Sequence, residues 1–414
     1  MKKTAVVVGA GIPGLCAARV LADFFETVVV IDKDSKLGGS LPRSGAAQGA
    51  HLHVLLHTGQ RILKNLFPDL QNIFKDCPKV DWAADTLWES RQGAFPNYQS
   101  GIETTSFSRP FLEKAVLGEV CKRKNIRFLQ TQVEEFSSGP EGVKISGSKE
   151  TVRADILVLA GGQTFPLQRL LPSCSIEAHT EIFPIAITYR SVVFASDSLK
   201  IKNARQYYYQ LSPPKDPLGA VICPQENGMS VATLVEYGQQ ETQKMHLSDF
   251  FQLASRVPNG HFSEIVSGGR ALSEVAVFHK AHMHLRRLHL VKDFPNNIFC
   301  LGDIFCSLNP VFGQGMSAAL LQVELLQRSL SERSLNSKTF HRRSVPLVPF
   351  TLAKVGSTVE ENFSKRYLDS YLKNCRNSER KHKKFLKVLH LQKSMLSLLD
   401  FVSLAETVFC GKMS

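Results

Sequence analysis

The feature that most constrains this chain is a glycine motif near its start, Gly9-x-Gly11-x-x-Gly14. The motif follows a run of β-branched residues, Ala5 to Val8, and leads into a segment with apolar residues at helical spacing, Pro13 to Phe24. In a strand–turn–helix unit such glycines make the tight turn, let the backbone approach a pyrophosphate, and let helix and strand pack closely. The motif therefore predicts a dinucleotide site at the N-terminus of the first helix.

The next segment completes a β-α-β unit. A second apolar strand, Thr27 to Ile31, is followed by Asp32, whose carboxylate can accept hydrogen bonds from the hydroxyl groups of a ribose. Neither strand alternates between apolar and polar residues, which is expected of a parallel sheet covered on both faces. A tight glycine turn without a ligand is the alternative, and the motif does not distinguish NAD from FAD.

The composition is that of a large globular protein with several parts. The chain has 414 residues, of which 43% are hydrophobic and 21% charged, and this excludes disordered, collagen-like and small disulfide-stapled proteins. Its nine cysteines are scattered without a C-x-x-C pair, which indicates free thiols in a reducing compartment, so we expect a cytoplasmic location. No apolar stretch has the ~18 uninterrupted residues that a membrane-spanning helix needs.

A second glycine-rich element lies almost three hundred residues after the first. The apolar strand Ile298 to Leu301 ends in Gly302-Asp303, and Asn309-Pro310-Val-Phe-Gly313-Gln314-Gly315-Met316 opens a helical pattern that continues to Leu330. Together with the first motif, this element resembles the FAD-dependent monooxygenases of the aromatic-hydroxylase (p-hydroxybenzoate hydroxylase-like) fold. The resemblance is closest to the branch with the bacterial flavin-dependent epoxidases and related oxidoreductases.

The resemblance implies how FAD is held. Asp303, after Gly302, would contact the ribityl chain, and the turn formed by Pro310, Gly313, Gly315 and Met316 would bring a helix N-terminus to the pyrimidine edge of the flavin. The positive end of a helix stabilises the negative charge that reduced flavin carries there.

The resemblance covers residues 4 to 330 in order and includes two arginines. It implies that Arg43 lies along the FAD and that Arg109, at the start of a predicted helix, supports the cofactor. For Arg109, a salt bridge at the helix start is an equal alternative.

Three histidines, His51, His53 and His57, lie close together in the sequence. No cysteine or carboxylate nearby completes a ligand set, so we expect no metal. We predict instead that His51 and His53 line the pocket near the flavin, with a structural histidine as the equal alternative, and we predict no general base.

The predicted fold is α/β: a Rossmann-like FAD-binding domain, an inserted β-sheet substrate domain and a helical C-terminal part. We expect the FAD-binding domain at 1–172 and 277–335, the sheet-rich substrate domain at 173–276, and a helical, basic C-terminal region at 336–414.

The chain departs from the family pattern at one strand end, and this departure concerns the reductant. The strand Ala154 to Leu159 leads into Gly161-Gly162-Gln163, where family members carry an acidic residue associated with FAD and with transient nicotinamide binding. NADPH or NADH as transient reductant is therefore an open question.

The resemblance implies a monooxygenase in which O2 forms a flavin C4a-hydroperoxide that transfers one oxygen atom to a lipophilic alkene or aromatic substrate. Two alternatives stay open, a flavin-dependent C=C reductase of prenyl-type substrates and a non-catalytic flavin-binding protein. The tryptophan-containing signature of the reductases is absent, since Trp82 and Trp88 lie elsewhere.

The net charge of +13 is concentrated in one segment. Leu372 to Lys393 carries eight Lys or Arg against Glu379, a contribution of +7, so we expect no nucleic acid partner. The predicted C-terminal helix places apolar residues close to one face: Phe385, Val388, Leu389, Met395, Leu396 and Leu399. Packing on the body and peripheral contact with a membrane surface are the two alternatives.

Overall fold

The structure is a computed structural model that describes residues 3–34, 49, 51–139, 141–147, 150–238, 244–358, 362–400, 402–404 and 407. The strands in these ranges are β1 Thr4–Val8, β2 Thr27–Asp32, β3 Lys79–Asp81, β4 Thr86–Ser90, β5 Gly93–Ala94, β6 Glu103–Thr105, β7 Ile126–Gln130, β8 Val133–Gly139, β9 Gly142–Gly147, β10 Thr151–Ala154, β11 Ile156–Leu159, β12 Thr180–Ala195, β13 Gln206–Tyr209, β14 Leu218–Pro224, β15 Met229–Tyr237, β16 Ala276–Arg286, β17 Ile298–Cys300 and β18 Cys306–Ser307. The helices are α1 Ile12–Leu21, α2 His57–Leu66, α3 Leu70–Ile73, α4 Arg109–Cys121, α5 Leu167–Leu170, α6 Leu247–Ala254, α7 His261–Ser267, α8 Gly315–Ser331, α9 Ser337–Ser344, α10 Phe350–Ser357, α11 Phe363–Cys375 and α12 Glu379–Leu389.

A parallel five-stranded sheet carries both glycine motifs. Its order is β17-β11-β1-β2-β7, so β1 lies in the middle and β17, from late in the chain, lies two strands away. Val6 and Val8 pack into one buried core, whereas Ala5 and Val7 pack into another. Both faces are therefore covered, as the apolar runs predict. The carboxyl ends of β1, β11 and β17 consequently meet at one edge of the sheet.

A second sheet has eight strands in the order β18-β16-β12-β15-β14-β13-β4-β5. It is antiparallel except that β13 and β4 run parallel. The helices α6 and α7 cover part of it through Phe250 and Phe262. Strands from before residue 173 and after residue 276 also join this sheet, and the domain bounds given above stay a prediction.

The C-terminal helices pack on the body of the protein. The face of α12 that carries Phe385, Val388 and Leu389 is buried in a cluster with Trp88. The predicted apolar face therefore packs inside along α12 and at Met395, which contacts the same cluster. It is not buried at Leu396 and Leu399, which are 75% and 64% exposed. No helix in the described ranges is long and apolar enough to cross a membrane.

Candidate active site

The first glycine turn leaves no room for side chains. Gly9 has a φ of +104°, and a β-carbon there would lie 2.5 Å from the carbonyl oxygen of Ala160, at the end of the neighbouring strand. A β-carbon at Gly14 would lie 1.8 Å from the carbonyl oxygen of Gly9. Both positions therefore need glycine, because β1, the start of α1 and the residue after β11 meet there.

The start of α1 is open to an anion. Gly11 is the N-cap residue, no side chain in the described part of the chain caps this helix end, and the first turn contains no acidic residue. The first-turn N–H groups of a helix have no partner within the helix, and they carry partial positive charge. This end of α1 can therefore accept a phosphate.

Asp32 lies at the end of β2, beside the same turn. One of its carboxylate oxygens accepts a hydrogen bond from the Ala10 N–H at 2.6 Å, and the other accepts one from the Asp34 N–H at 2.9 Å. Asp32 also lines the cavity described below. This position suits a group that holds a sugar hydroxyl near the phosphate end of α1.

Asp303 reaches the site from β17. It lies in a short 3₁₀ helix, Gly302–Ile304, directly after that strand. Gly302 has a φ of +72°, and its N–H donates a hydrogen bond to Gln322 Oε1 on α8 at 2.8 Å. These contacts hold the backbone that carries Asp303 between α1 and α8.

The turn before α8 ends in a second open helix start. Asn309 accepts a hydrogen bond from the Val311 N–H at 3.0 Å, which caps the short 3₁₀ helix Pro310–Phe312. Gly313 then adopts the left-handed conformation, with a φ of +62°. Among the described residues, no side chain caps the N-terminus of α8, and the first turn of this helix contains no acidic residue. A second set of free N–H groups therefore lies at this end.

One cavity of about 690 Å³ connects the two elements. The residues predicted for the site that line it are Gly9, Gly11, Asp32, His53, Arg109, Asp303, Pro310, Gly313, Gly315 and Met316. Gly14 and Gly302 lie behind its wall, where they allow close packing. Arg43 lies outside the described residues.

Arg109 combines the two alternatives that the sequence left open. Its Nε lies 3.0 Å from Glu113 Oε1, one helical turn along α4. The side chain also lines the cavity. The salt bridge at the helix start is therefore present, and a part in cofactor binding stays a prediction.

The two histidines predicted for the pocket are placed differently. His51 does not line the cavity: its Nδ1 lies 2.8 Å from Ser191 Oγ, and burial lowers its pKa to about 4. His51 is therefore a neutral histidine that packs behind Tyr189 and Phe278, two residues that do line the cavity. The prediction that His51 itself lines the cavity is wrong. His53 lines the cavity. The described residues contain no group of three potential metal ligands.

A series of hydrogen-bonded, buried side chains near Asp303 was not predicted from the sequence. Lys280 on β16 lines the cavity, and its Nζ donates to Ser307 Oγ at 2.6 Å. Ser307 Oγ in turn donates to Gln163 Oε1 at 3.0 Å. Burial lowers the pKa of Lys280, and the nearby Asp303 opposes that shift. Gln163 follows the strand end that departs from the family pattern, but no local pattern indicates Lys280.

These residues fit FAD in their donor chemistry and in the space they leave. Two uncapped helix starts face the same cavity as two carboxylates, Asp32 and Asp303, and side chains are excluded at Gly9 and Gly14. A molecule with both an anionic pyrophosphate and several hydroxyl groups matches such a set.

Comparison with known proteins agrees with this architecture. The family model described as an NAD(P)-binding Rossmann-like domain matches residues 7–77. The chain is 27% identical to Protein Rv3254 of Mycobacterium tuberculosis over 342 residues, which cover 78% of this chain and 71% of that protein.

Two solved structures are similar over nearly the whole chain. A flavoprotein/dehydrogenase from Cytophaga hutchinsonii has a TM-score of 0.68 at 14% identity, with 100% of both chains covered. The p-nitrophenol 4-monooxygenase PnpA from Pseudomonas putida has a TM-score of 0.65 at 17% identity, with 97% of this chain and 98% of that one covered. The predicted fold of the flavin-dependent monooxygenases is thus confirmed, and at these identities the likeness concerns the fold alone.

Proposed function

We propose that this chain is an FAD-dependent monooxygenase that acts on a small lipophilic substrate. The observation that carries the proposal is that Gly11 and Asp303, almost three hundred residues apart, line one cavity. An isolated nucleotide-binding unit needs only the first of these elements. The second element adds a carboxylate and a helix start, which suit the ribityl chain and the ring of a flavin.

Each part of the cavity has a proposed task. The N-terminus of α1 binds the pyrophosphate, Asp32 binds the ribose, and Asp303 binds the ribityl chain. The N-terminus of α8 would contact the pyrimidine edge of the flavin. When bound, FAD supplies the electron transfer and the reaction with O2.

The chain's own contribution is orientation, charge and exclusion of water. Lys280 lies near Asp303, whose charge opposes the lowering of the Lys280 pKa by burial, and a hydrogen bond to Ser307 holds Lys280 Nζ in place. Val235, Phe278 and Leu308 add apolar surface to the same cavity wall. A dry site strengthens electrostatic interactions and protects reactive species from hydrolysis.

The proposal is tested with the purified protein and FAD. We expect a yellow protein, consumption of NADPH or NADH, and incorporation of one atom of ¹⁸O2 into product while the other leaves as water. Turnover of a lipophilic alkene without O2 indicates a C=C reductase instead. A folded protein that does not bind FAD overturns the proposal, and bound FAD without any turnover favours a non-catalytic flavin-binding protein.

A matched pair of carboxylate variants connects the result to the site. Asp303→Asn keeps the shape of the side chain but removes its charge, so we expect FAD affinity to fall by about tenfold, which is ~1.4 kcal/mol. Asp197→Asn is the control, because the Asp197 side chain is 83% exposed and does not line the cavity. Equal affinities in the two variants would contradict the proposed role of Asp303.

A further inference from the structure

The cavity continues past the dinucleotide elements into an apolar lobe. One side of this lobe is formed by Trp82, Trp88 and Tyr208, and the other by Leu372, Phe385 and Leu389. The first three residues lie on or beside the strands β3, β4 and β13, whereas the last three belong to the C-terminal helices α11 and α12. The C-terminal region therefore supplies part of the cavity wall.

The aromatic side of the lobe is closely packed. The ring centroids of Trp82 and Tyr208 are 5.7 Å apart, and those of Trp88 and Tyr208 are 5.5 Å apart. Trp88 also packs edge-on against Phe385, with ring centroids 6.2 Å apart and the rings at 62°. Aromatic rings at such separations favour edge-to-face or offset contacts, and a further ring can add to them.

The charged groups that the C-terminal helices place in the cavity wall neutralise each other. They are Lys365 and Asp369, and Lys365 Nζ lies 2.8 Å from Asp369 Oδ1. Lys365 Nζ also donates to Ser212 Oγ at 3.4 Å. This wall therefore carries no net charge with which to select an ionic ligand, and burial of an ionised group against the apolar side chains would be unfavourable.

We propose that the apolar lobe is the substrate subsite, that it takes an uncharged, ring-containing hydrophobic molecule, and that Leu372, Phe385 and Leu389 determine which molecules fit. The reaction at this subsite rests on the function proposed above, but ligand binding does not depend on turnover. Under this proposal, the helical C-terminal region and the eight-stranded sheet together determine which substrates the protein binds.

The lobe contains its own optical reporter, because Trp82 and Trp88 are the two tryptophans of the chain. The probe is 9-anthracenemethanol, an uncharged molecule that absorbs where tryptophan emits. Its charged counterpart, 9-anthracenecarboxylate, has the same ring system, and 1-dodecanol is an uncharged molecule without a ring. All are titrated in the presence of saturating FAD, so that the probe does not compete for the dinucleotide half of the cavity.

We expect saturable quenching of tryptophan emission by 9-anthracenemethanol and at least tenfold weaker binding of the carboxylate. Dodecanol should compete poorly. Absence of saturable quenching, or equal affinity for the two anthracenes, overturns the proposal. Stronger binding of dodecanol than of the anthracene overturns the preference for rings.

Variants test whether the probe binds in the apolar lobe. Leu372→Phe fills part of the lobe and should weaken probe binding by at least tenfold, whereas Leu396→Phe makes the same change at a residue that is 75% exposed and should not alter it. Phe385→Leu removes the ring opposite Trp88 and should also weaken binding, which keeps the test valid if Leu372→Phe does not fold. Wild-type affinity in folded Leu372→Phe or Phe385→Leu places the probe elsewhere and overturns the proposal.

The two proposals fail in distinguishable ways. A yellow protein that turns over NADPH but does not bind the probe contradicts the subsite only. A colourless protein whose probe binding is lost in Leu372→Phe contradicts the redox function only.

Discussion

Gly302 lies against Pro13: a β-carbon on Gly302 would be 3.3 Å from Pro13 Cγ. Gly302 directly precedes Asp303, and Pro13 lies in the first turn of α1, so the two halves of the candidate site touch at this contact. Close approach here brings the carboxylate to the end of α1 at which a phosphate can bind.

Gly302→Ala should therefore destabilise the protein and weaken FAD binding. Gly101→Ala is a matched control, because Gly101 has a φ of +69° but nothing within 4 Å of its added β-carbon. We expect backbone strain to lower the free energy of unfolding by ~1–3 kcal/mol in both variants. Only Gly302→Ala should lose more stability than this and also bind FAD more weakly. Thermal unfolding and FAD titration measure both effects, and the same result for the two variants would argue against the importance of the contact.

Gly14→Ala should prevent proper closure of the first turn. The added β-carbon would lie 1.8 Å from the Gly9 carbonyl oxygen, so the strand and helix must separate. Gly118→Ala is the comparison, since this glycine lies in α4 with open space around it, and alanine there should stabilise by ~0.4–1 kcal/mol. Chemical unfolding measures the stability of both variants, and titration measures their affinity for FAD. A Gly14→Ala protein with native stability and native FAD affinity would show that the strand and helix do not need glycine to pack here.

Arg109→Gln and Glu113→Gln separate the two roles of Arg109. Both variants lose the same 3.0 Å ion pair, whose side chains are only 13% and 10% exposed, so each should lose ~1–3 kcal/mol of stability. If Arg109 also supports the cofactor, only Arg109→Gln should bind FAD more weakly. Calorimetry measures FAD binding in both variants. Unchanged FAD affinity in Arg109→Gln would show that Arg109 forms only the salt bridge at the helix start and does not support the cofactor.

Lys280→Met should lower the reduction potential of bound FAD. Loss of a buried cation beside Asp303 removes electrostatic stabilisation of the negatively charged reduced flavin. We expect a decrease of about 30 mV or more, which is ~1.4 kcal/mol for a two-electron couple. Lys280→Arg, which keeps the charge, should remain close to wild type. Spectroelectrochemical titration tests this, and an unchanged potential in Lys280→Met shows that the ammonium group does not act on the flavin.

His382 should make the protein less stable in acid. Neither of its ring nitrogens has a hydrogen-bond partner among the residues that the structure describes, and Trp88 and Phe95 pack around the ring. Burial lowers the pKa of His382 from 6.5 to about 4. Below pH 6.5 the unfolded chain binds a proton that the folded chain excludes, so stability falls as the pH drops towards 4, by up to ~3 kcal/mol. Urea unfolding between about pH 7.5 and 4.5 measures this loss.

His382→Phe supplies the comparison for that pH series. Phenylalanine preserves the aromatic packing and does not titrate, so this variant should lose less stability over the same pH range. An identical pH dependence in the two proteins would assign the acid sensitivity to other groups, such as the buried His390.

The nucleotide-binding unit could be predicted because its requirements are local. A strand, a turn that excludes side chains and a helix start are specified by residues within one short segment, and the glycines at Gly9 and Gly14 report the close packing directly. The second element, around Asp303, was predicted from the resemblance to the FAD-dependent monooxygenases, and its part in holding FAD stays a prediction. The observed strand β2, Thr27–Asp32, is one residue longer than the predicted strand Thr27 to Ile31, since a short apolar run bounded by polar residues has few alternatives.

Other features depend on which distant residues become neighbours, and one-dimensional patterns do not contain that information. The chain from Lys280 through Ser307 to Gln163 joins three separate segments, and His51 is turned away from the cavity by its hydrogen bond to Ser191. The apolar lobe likewise forms only when α12 packs against the strand that carries Trp88. Local sequence thus specified the strand, turn and helix start of the first glycine motif in advance, whereas long-range packing created the apolar lobe, because burial and side-chain pairing are properties of the assembled chain.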